Sequence, residues 1–149
     1  PHTVGFMLSL LDVEPGMTVL DIGSGSAYTT ALLAELVGHK GSVKGLEIIE
    51  DLVGFGRSNL GPYEYDWASI EQATPGVLGD PDGLYDRVLV SAAARSVPDE
   101  LLEQVKVGGV VVVPVKNEIL RIERTGHAPE DHRVDRYEGF RFVPLRRER

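Results

Sequence analysis

The sequence predicts an α/β fold: a doubly wound, mostly parallel sheet closed at its end by an antiparallel strand pair. Three observations carry this. Short apolar runs alternate with amphipathic stretches along most of the chain, the run Val88-Leu89-Val90 is unbroken as in a strand buried on both faces, and the chain ends in two alternating segments with no helix between them. Strands separated by helices require crossovers, and crossovers make neighbouring strands parallel.

Taken in order, Val4, Met7, Leu8 and Leu11 recur at helical spacing, and Glu14-Pro15-Gly16 stops the helix. Met17 to Ile22 reads as a buried strand ending in a glycine turn. From Ala27 to Val37 a helix apolar on most sides follows, closed by Gly38. Ser42 to Ile49 reads as a second strand, and Glu50 to Leu60 as a helix weakened by Gly54 and Gly56, each costing about 1 kcal/mol relative to alanine. Ala68 to Ala73 is a candidate third strand, followed by a Pro/Gly loop over Thr74 to Gly83. Tyr85 to Ser91 reads as the fourth strand, Pro98 to Lys106 as a helix ended by Gly108-Gly109, and Val110 to Val115 as the fifth strand. Glu118 to Thr125 and Tyr137 to Leu145 are expected to form the closing pair around a polar loop.

A length of 149 residues predicts one domain, 1–149, and a composition 42% hydrophobic and 26% charged is that of an ordinary globular protein. With no cysteine there is no disulfide framework, thiolate nucleophile or cysteine-based zinc site. His2, His39, His127 and His132 have no metal-ligand spacing, so no metal is expected. A net charge of −8 argues against a nucleic-acid partner, although the segment from Asn117 onward carries 8 Arg against 7 acidic residues. That arginine-bearing end reads as a solvated hairpin or a weak docking surface for an anion. No apolar run approaches the roughly 18 residues of a membrane span, and Pro1-His2-Thr3 lacks a signal pattern. A cytoplasmic monomer is the expectation.

In an open parallel sheet the ligand sits beyond the carboxyl ends of the strands. Asp21 to Ser26 falls there: Gly23 and Gly25 allow a tight turn, and the helix that follows aims free N–H groups at an anion. Glu47 ends the second strand 22 residues after Gly25, where a carboxylate can accept both hydroxyls of an adenosine ribose. A dinucleotide fingerprint needs a third glycine, where this chain has Tyr28, and no Gly-Lys-Ser/Thr is present, which disfavours NAD or FAD and excludes a P-loop. S-adenosyl-L-methionine fits what remains: it has a carboxylate for the backbone amides of Gly23, Ser24, Gly25 and Ser26, and an ammonium group for Asp21.

The strings VLDIGSGS over Val19 to Ser26, YDRVLVSAAA over Tyr85 to Ala94, GGVVVVPV over Gly108 to Val115 and FVPL over Phe142 to Leu145 together resemble the protein-L-isoaspartate O-methyltransferase family, class I S-adenosylmethionine-dependent methyltransferases. Pro1-His2 looks like the close of that family's Ser-x-Pro-His segment. The resemblance implies methyl transfer from S-adenosyl-L-methionine to an isoaspartyl side-chain carboxylate in a damaged protein or peptide. It also adds Ile48, beside Glu47, to the cofactor-binding set. A carboxylate is already ionised at pH 7 and a sulfonium is already activated, so neither a strong base nor a metal is needed.

Departures from the family's pattern locate the open questions. The family's active-site serine would lie before Pro1, so no catalytic residue is assigned and an upstream segment is expected. The family's Gly-Asp-Gly after the third strand, whose Asp holds the adenine amino group, has two candidate matches: Gly79-Asp80, or Ala73-Thr74-Pro75. Loop length favours Thr74 as a neutral replacement. Ala27 replaces a glycine and reads as a better helix former. The alternatives to the repair reaction are a different peptide or small-molecule carboxylate as acceptor, or a catalytically idle domain that binds the cofactor or a partner.

Overall fold

In the computed structural model, which describes residues 2–140, the chain forms α1 (His2–Leu11), β1 (Thr18–Ile22), α2 (Tyr28–Val37), β2 (Ser42–Glu47), α3 (Glu50–Leu60), β3 (Ala68–Gln72), β4 (Tyr85–Val90), α4 (Asp99–Leu102), β5 (Val105–Val115), β6 (Glu118–Arg124) and β7 (His132–Glu138). The strands make one sheet in the order β3-β2-β1-β4-β5-β6-β7. The first five are mutually parallel, and β6 and β7 close the sheet antiparallel. Strand order reverses between β1 and β4, so the crevice at their carboxyl ends is the switch point at which such sheets take ligands.

The period-2 pattern divides the core in two. Leu20, Ile22, Val88, Val90, Val111 and Val113 face α4 through Leu101 and Leu102. Val19, Leu89, Val110 and Val112 face the other way, onto Leu33, Ala34 and Val37 of α2 and Met7 and Leu11 of α1. A smaller cluster joins Val53 and Leu60 of α3 to Ile70 of β3. The last carbonyls of α1, which have no helical partner, are bonded by arginines of the sheet: Arg87 Nε donates to Leu11 O at 2.6 Å and Arg121 Nε to Leu10 O at 2.7 Å.

Three segments differ from the sequence expectation. The helix expected over Pro98 to Lys106 is one turn, Asp99–Leu102, and Gly108-Gly109 lie inside β5 instead of ending a helix. Val105 is fully buried against Tyr85, and the register then shifts between Tyr85 and Arg87. The extra residues form a bulge, with Gly108 at φ 89° and a Cβ at Gly109 only 2.8 Å from Lys106 O. Ala27 is not helical: it sits in the left-handed region at φ 73°, immediately before α2. The closing strand starts at His132, within the expected polar loop, and ends at Glu138. Only Val134 and Tyr137 of this edge strand pack onto the core, while Arg133 and Arg136 reach Glu123 and Glu118 on β6, so its sequence has almost no apolar alternation. The string at Phe142 to Leu145 lies outside the described residues.

Candidate functional site

The turn after β1 is wired into β2. The N–H groups of Gly23 and Ser24 both donate to Leu46 O, at 2.8 and 3.0 Å. The next amide, Gly25, donates to Glu47 Oε1 at 2.8 Å, and Ile49 N–H donates to Glu47 Oε2 at 3.0 Å. Glu47 is 6% exposed, and each carboxylate oxygen keeps a lone pair for a further donor such as a hydroxyl. Gly23 and Gly25 lie at φ 81° and 52°, where a side chain costs about 1–2 kcal/mol. Helix α3 approaches so closely that a Cβ on Gly56 would stand 2.9 Å from Gly25 O. This gives the glycine that weakens α3 a packing reason, whereas a Cβ on Gly54 would meet nothing within 4 Å.

Asp21 is fully buried beneath the turn. Its Oδ2 accepts from Thr29 Oγ1 at 2.8 Å and Thr30 Oγ1 at 2.7 Å, while Oδ1 has no partner. Burial pushes the Asp21 carboxyl up to about 6, against the lowering effect of the Thr30 and Thr29 hydroxyls and with a small upward push from Glu47. No side chain caps α2, so the amides of its first turn face the carboxyl edge of the sheet without a capping partner. The amides able to meet an anion are therefore those of Ser26 and of this first turn, because those of Gly23, Ser24 and Gly25 are already bonded within the protein.

The remaining expected residues surround this centre. Ser24 is buried with an unpartnered hydroxyl, and Ser26 is exposed, its carbonyl accepting from Asn59 Nδ2 at 3.0 Å. Ile48 follows Glu47 and is half-buried, with its carbonyl bonded by Gln72 Nε2 at 3.0 Å. Thr74 lies two residues beyond the carboxyl end of β3, next to Ala73, whose N–H donates to Glu47 O at 2.9 Å. Asp80, the competing match, accepts from Tyr85 Oη at 2.6 Å and Lys44 Nζ at 3.1 Å, and Tyr85 opens β4 at the amino end of that strand. Trp67 precedes β3, its Nε1 donating to Ala34 O, and so lies at the opposite end of the sheet from the glycine turn.

One residue at this edge was not singled out from sequence. Ser91 follows β4, its N–H bonded to Ile22 O, and its buried hydroxyl has no partner. A Cβ on Gly23 would lie 3.9 Å from its Cβ, so Ser91 and Gly23 face each other across the switch point. Its signals in the sequence are its place at the end of an apolar run and within the string over Tyr85 to Ala94, neither of which sets it apart from its neighbours.

Three buried polar atoms without partners, Asp21 Oδ1, Ser24 Oγ and Ser91 Oγ, thus belong to the turn and strand ends bordering the switch point. Unpartnered buried polar groups are rare and call for a ligand or water. Together with the uncapped helix and Glu47 they offer an acceptor for an ammonium, donors for a carboxylate and acceptors for a diol. That set fits S-adenosylmethionine. Among the described residues no group of His, Asp and Glu is placed to hold a metal ion, and no helix is long and apolar enough to cross a membrane.

The family model for protein-L-isoaspartate(D-aspartate) O-methyltransferase matches residues 1–149. The chain belongs to this family. A protein-L-isoaspartate O-methyltransferase of Methanopyrus kandleri is 42% identical over 97% of the chain and 66% of its own length. The chain thus spans about two thirds of this relative. Among solved structures, a protein-L-isoaspartate O-methyltransferase superimposes with a TM-score of 0.86 at 22% identity, covering 97% of this chain and 47% of that one. A candidate family member from Plasmodium falciparum, in complex with S-adenosyl-L-homocysteine, superimposes at 0.85 with 24% identity, covering 99% of this chain and 75% of that one. At these identities the two superpositions establish the shared fold.

Proposed function

We propose that this member of the isoaspartate methyltransferase family transfers a methyl group from S-adenosyl-L-methionine to the side-chain carboxylate of L-isoaspartyl residues, starting the repair of damaged proteins. The observation that carries the cofactor assignment is the clustering of unpartnered buried polar atoms at a switch point built by β1 and β4. The substrate assignment rests on family membership. In this reading Asp21 Oδ1 accepts from the cofactor ammonium, the first turn of α2 donates to its carboxylate, and Glu47 accepts the ribose hydroxyls. Gly23, Ser24, Gly25 and Ser26 shape the cradle, Ile48 covers one side of the adenine, and Thr74 Oγ1 accepts from the adenine amino group.

S-adenosylmethionine, when bound, supplies an activated methyl group on a sulfonium. The chain's own part is positioning. A carboxylate acceptor arrives ionised near pH 7, so no side chain needs to remove a proton. Holding acceptor and methyl in line is worth about 7 to 11 kcal/mol in favourable cases. Ser91, at the end of β4, is placed to orient one of the two through its free hydroxyl. The same reading has the protein act as a monomer in the cytoplasm.

The test is transfer of labelled methyl to an isoaspartyl peptide and to its aspartyl twin. Labelling of the first alone is expected. Binding of S-adenosylhomocysteine without labelling of either peptide would overturn the repair assignment, and labelling of both would point to a broader carboxylate acceptor.

A further inference from the structure

The loop over residues 73–83 has no helix or strand, yet hydrogen bonds run along it from end to end. Ala73 is tied to Glu47 O at 2.9 Å, Val77 N–H closes a turn on Thr74 O at 3.1 Å, and Gly83 N–H closes another on Asp80 O at 3.0 Å. Between the turns, the backbone of Leu78-Gly79-Asp80 lies against one side-chain amide. Gln104 Nε2 donates to Leu78 O at 2.9 Å, and Gln104 Oε1 accepts from Asp80 N–H at 2.8 Å. Gln104 is 2% exposed, so both halves of its amide are committed. Gly79 is at φ 70°, and a Cβ there would collide with Gln104 Oε1. The Asp80 carboxylate then accepts from Tyr85 Oη at 2.6 Å and Lys44 Nζ at 3.1 Å. Residues from β2, β4 and the turn before β5 thus grip a tripeptide that begins four residues after Thr74.

We infer that Gln104, Tyr85, Lys44 and Asp80 form a clasp whose task is to position Thr74, and so to set the protein's preference for an adenine over other bases in its cofactor. The four are bonded to one another or to the loop backbone and are positioning residues, and the inference rests on the reading of Thr74 given above. The chemistry of the clasp explains how a neutral hydroxyl can serve. A threonine makes a weaker hydrogen bond than a carboxylate and discriminates only if it is held at hydrogen-bond distance. Thr74 is held between the bond from Ala73 to Glu47 O and the turn that closes on its own carbonyl, and the clasp anchors the far end of that turn. The Tyr85 hydroxyl and the Lys44 ammonium also hold the Asp80 carboxyl below the usual carboxylate range, which keeps it ionised and the grip closed.

The test is calorimetric titration of the wild type, Tyr85→Phe and Gln104→Ala with S-adenosylhomocysteine and with S-inosylhomocysteine, which lacks the adenine amino group. Wild type should prefer the adenine compound. Gln104→Ala should bind it roughly tenfold more weakly and Tyr85→Phe about fivefold, with a smaller loss for the inosine compound, so that the preference narrows. Tyr85→Phe removes one oxygen and keeps the ring, so it carries the test should Gln104→Ala fail to fold. A folded Tyr85→Phe whose affinity and preference stay within about twofold of wild type overturns the clasp. Wild-type protein that binds neither compound overturns the cofactor reading itself, and with it the assignment of Thr74.

Discussion

The turn at residues 21–27 and the loop at 73–83 flank the same strand, β2, and they are held in opposite ways. The turn is held by neighbours the topology supplies automatically: the carbonyl of Leu46 and the carboxylate of Glu47, both at the end of the adjacent parallel strand. Beyond Ala73, whose N–H bonds Glu47 O, the loop is held by side chains brought from Lys44, Tyr85 and Gln104, none of which lies within it. A turn between sheet neighbours can be specified by its own glycines. The position of a loop with no sheet partner depends on residues scattered through the chain.

Glu47→Ala strikes the turn hardest, because it strips a charged acceptor from the amides of Gly25 and Ile49. We expect a loss of about 3 kcal/mol or more in stability and on the order of a hundredfold in S-adenosylhomocysteine affinity, read by denaturation and calorimetry. An affinity near wild type would show that the turn holds itself without the Glu47 carboxylate and that this carboxylate does not meet the ribose.

Next in size is the pH response of Asp21, whose carboxyl moves from 3.8 to about 6 on folding. The folded state keeps this proton more tightly, so the group's contribution is greatest below about pH 4 and is lost as pH rises through about 6. For a shift of this size the loss totals about 3 kcal/mol. Asp21→Asn should flatten that stretch of the stability curve. If the cofactor ammonium meets this carboxylate, S-adenosylhomocysteine affinity should also fall as pH drops below about 6, with a proton released on binding.

Gly45→Ala tests the floor beneath the turn. The new methyl would stand 2.7 Å from Ile70 Cδ1 and 3.0 Å from Ser24 Cβ. A destabilisation of about 2 kcal/mol, seen as a lower urea midpoint, is expected. The smallest effect belongs to Ala27→Gly. Relief of the left-handed backbone is worth about 1–2 kcal/mol, while the freer unfolded chain takes back about 0.4–1 and the lost buried methyl about 0.8, leaving a net change within about 1 kcal/mol of zero. Cofactor affinity should not change, since Ala27 points into the core beside Val53 and Leu60.

The comparison also separates what could be read in advance. The cradle residues Gly23 and Gly25 and the strand-end Glu47 were legible because their spacing reflects adjacent strands. Ser91 was not, because nothing in a run ending Val-Ser shows that strand order reverses beside it. Nor was the clasp, since Gln104 looks like an ordinary polar residue at the end of a helix until its amide is seen facing Leu78 and Asp80. Ala27 was misjudged for a related reason: helix propensity describes a residue inside a helix, and this one lies just outside.

By itself the sequence determined the alternation of strands and helices, the glycine turn, the carboxylate at the end of β2 and the family, because each is written in local spacing or contiguous strings. Only the tertiary structure decided that Ser91 faces Gly23, that the amides of Gly23, Ser24 and Gly25 are bonded while those of the first turn of α2 are uncapped, and that Asp80 is anchored by Tyr85 at the amino end of β4. Each of those depends on which distant segments the sheet makes neighbours, and side-chain period carries no record of that.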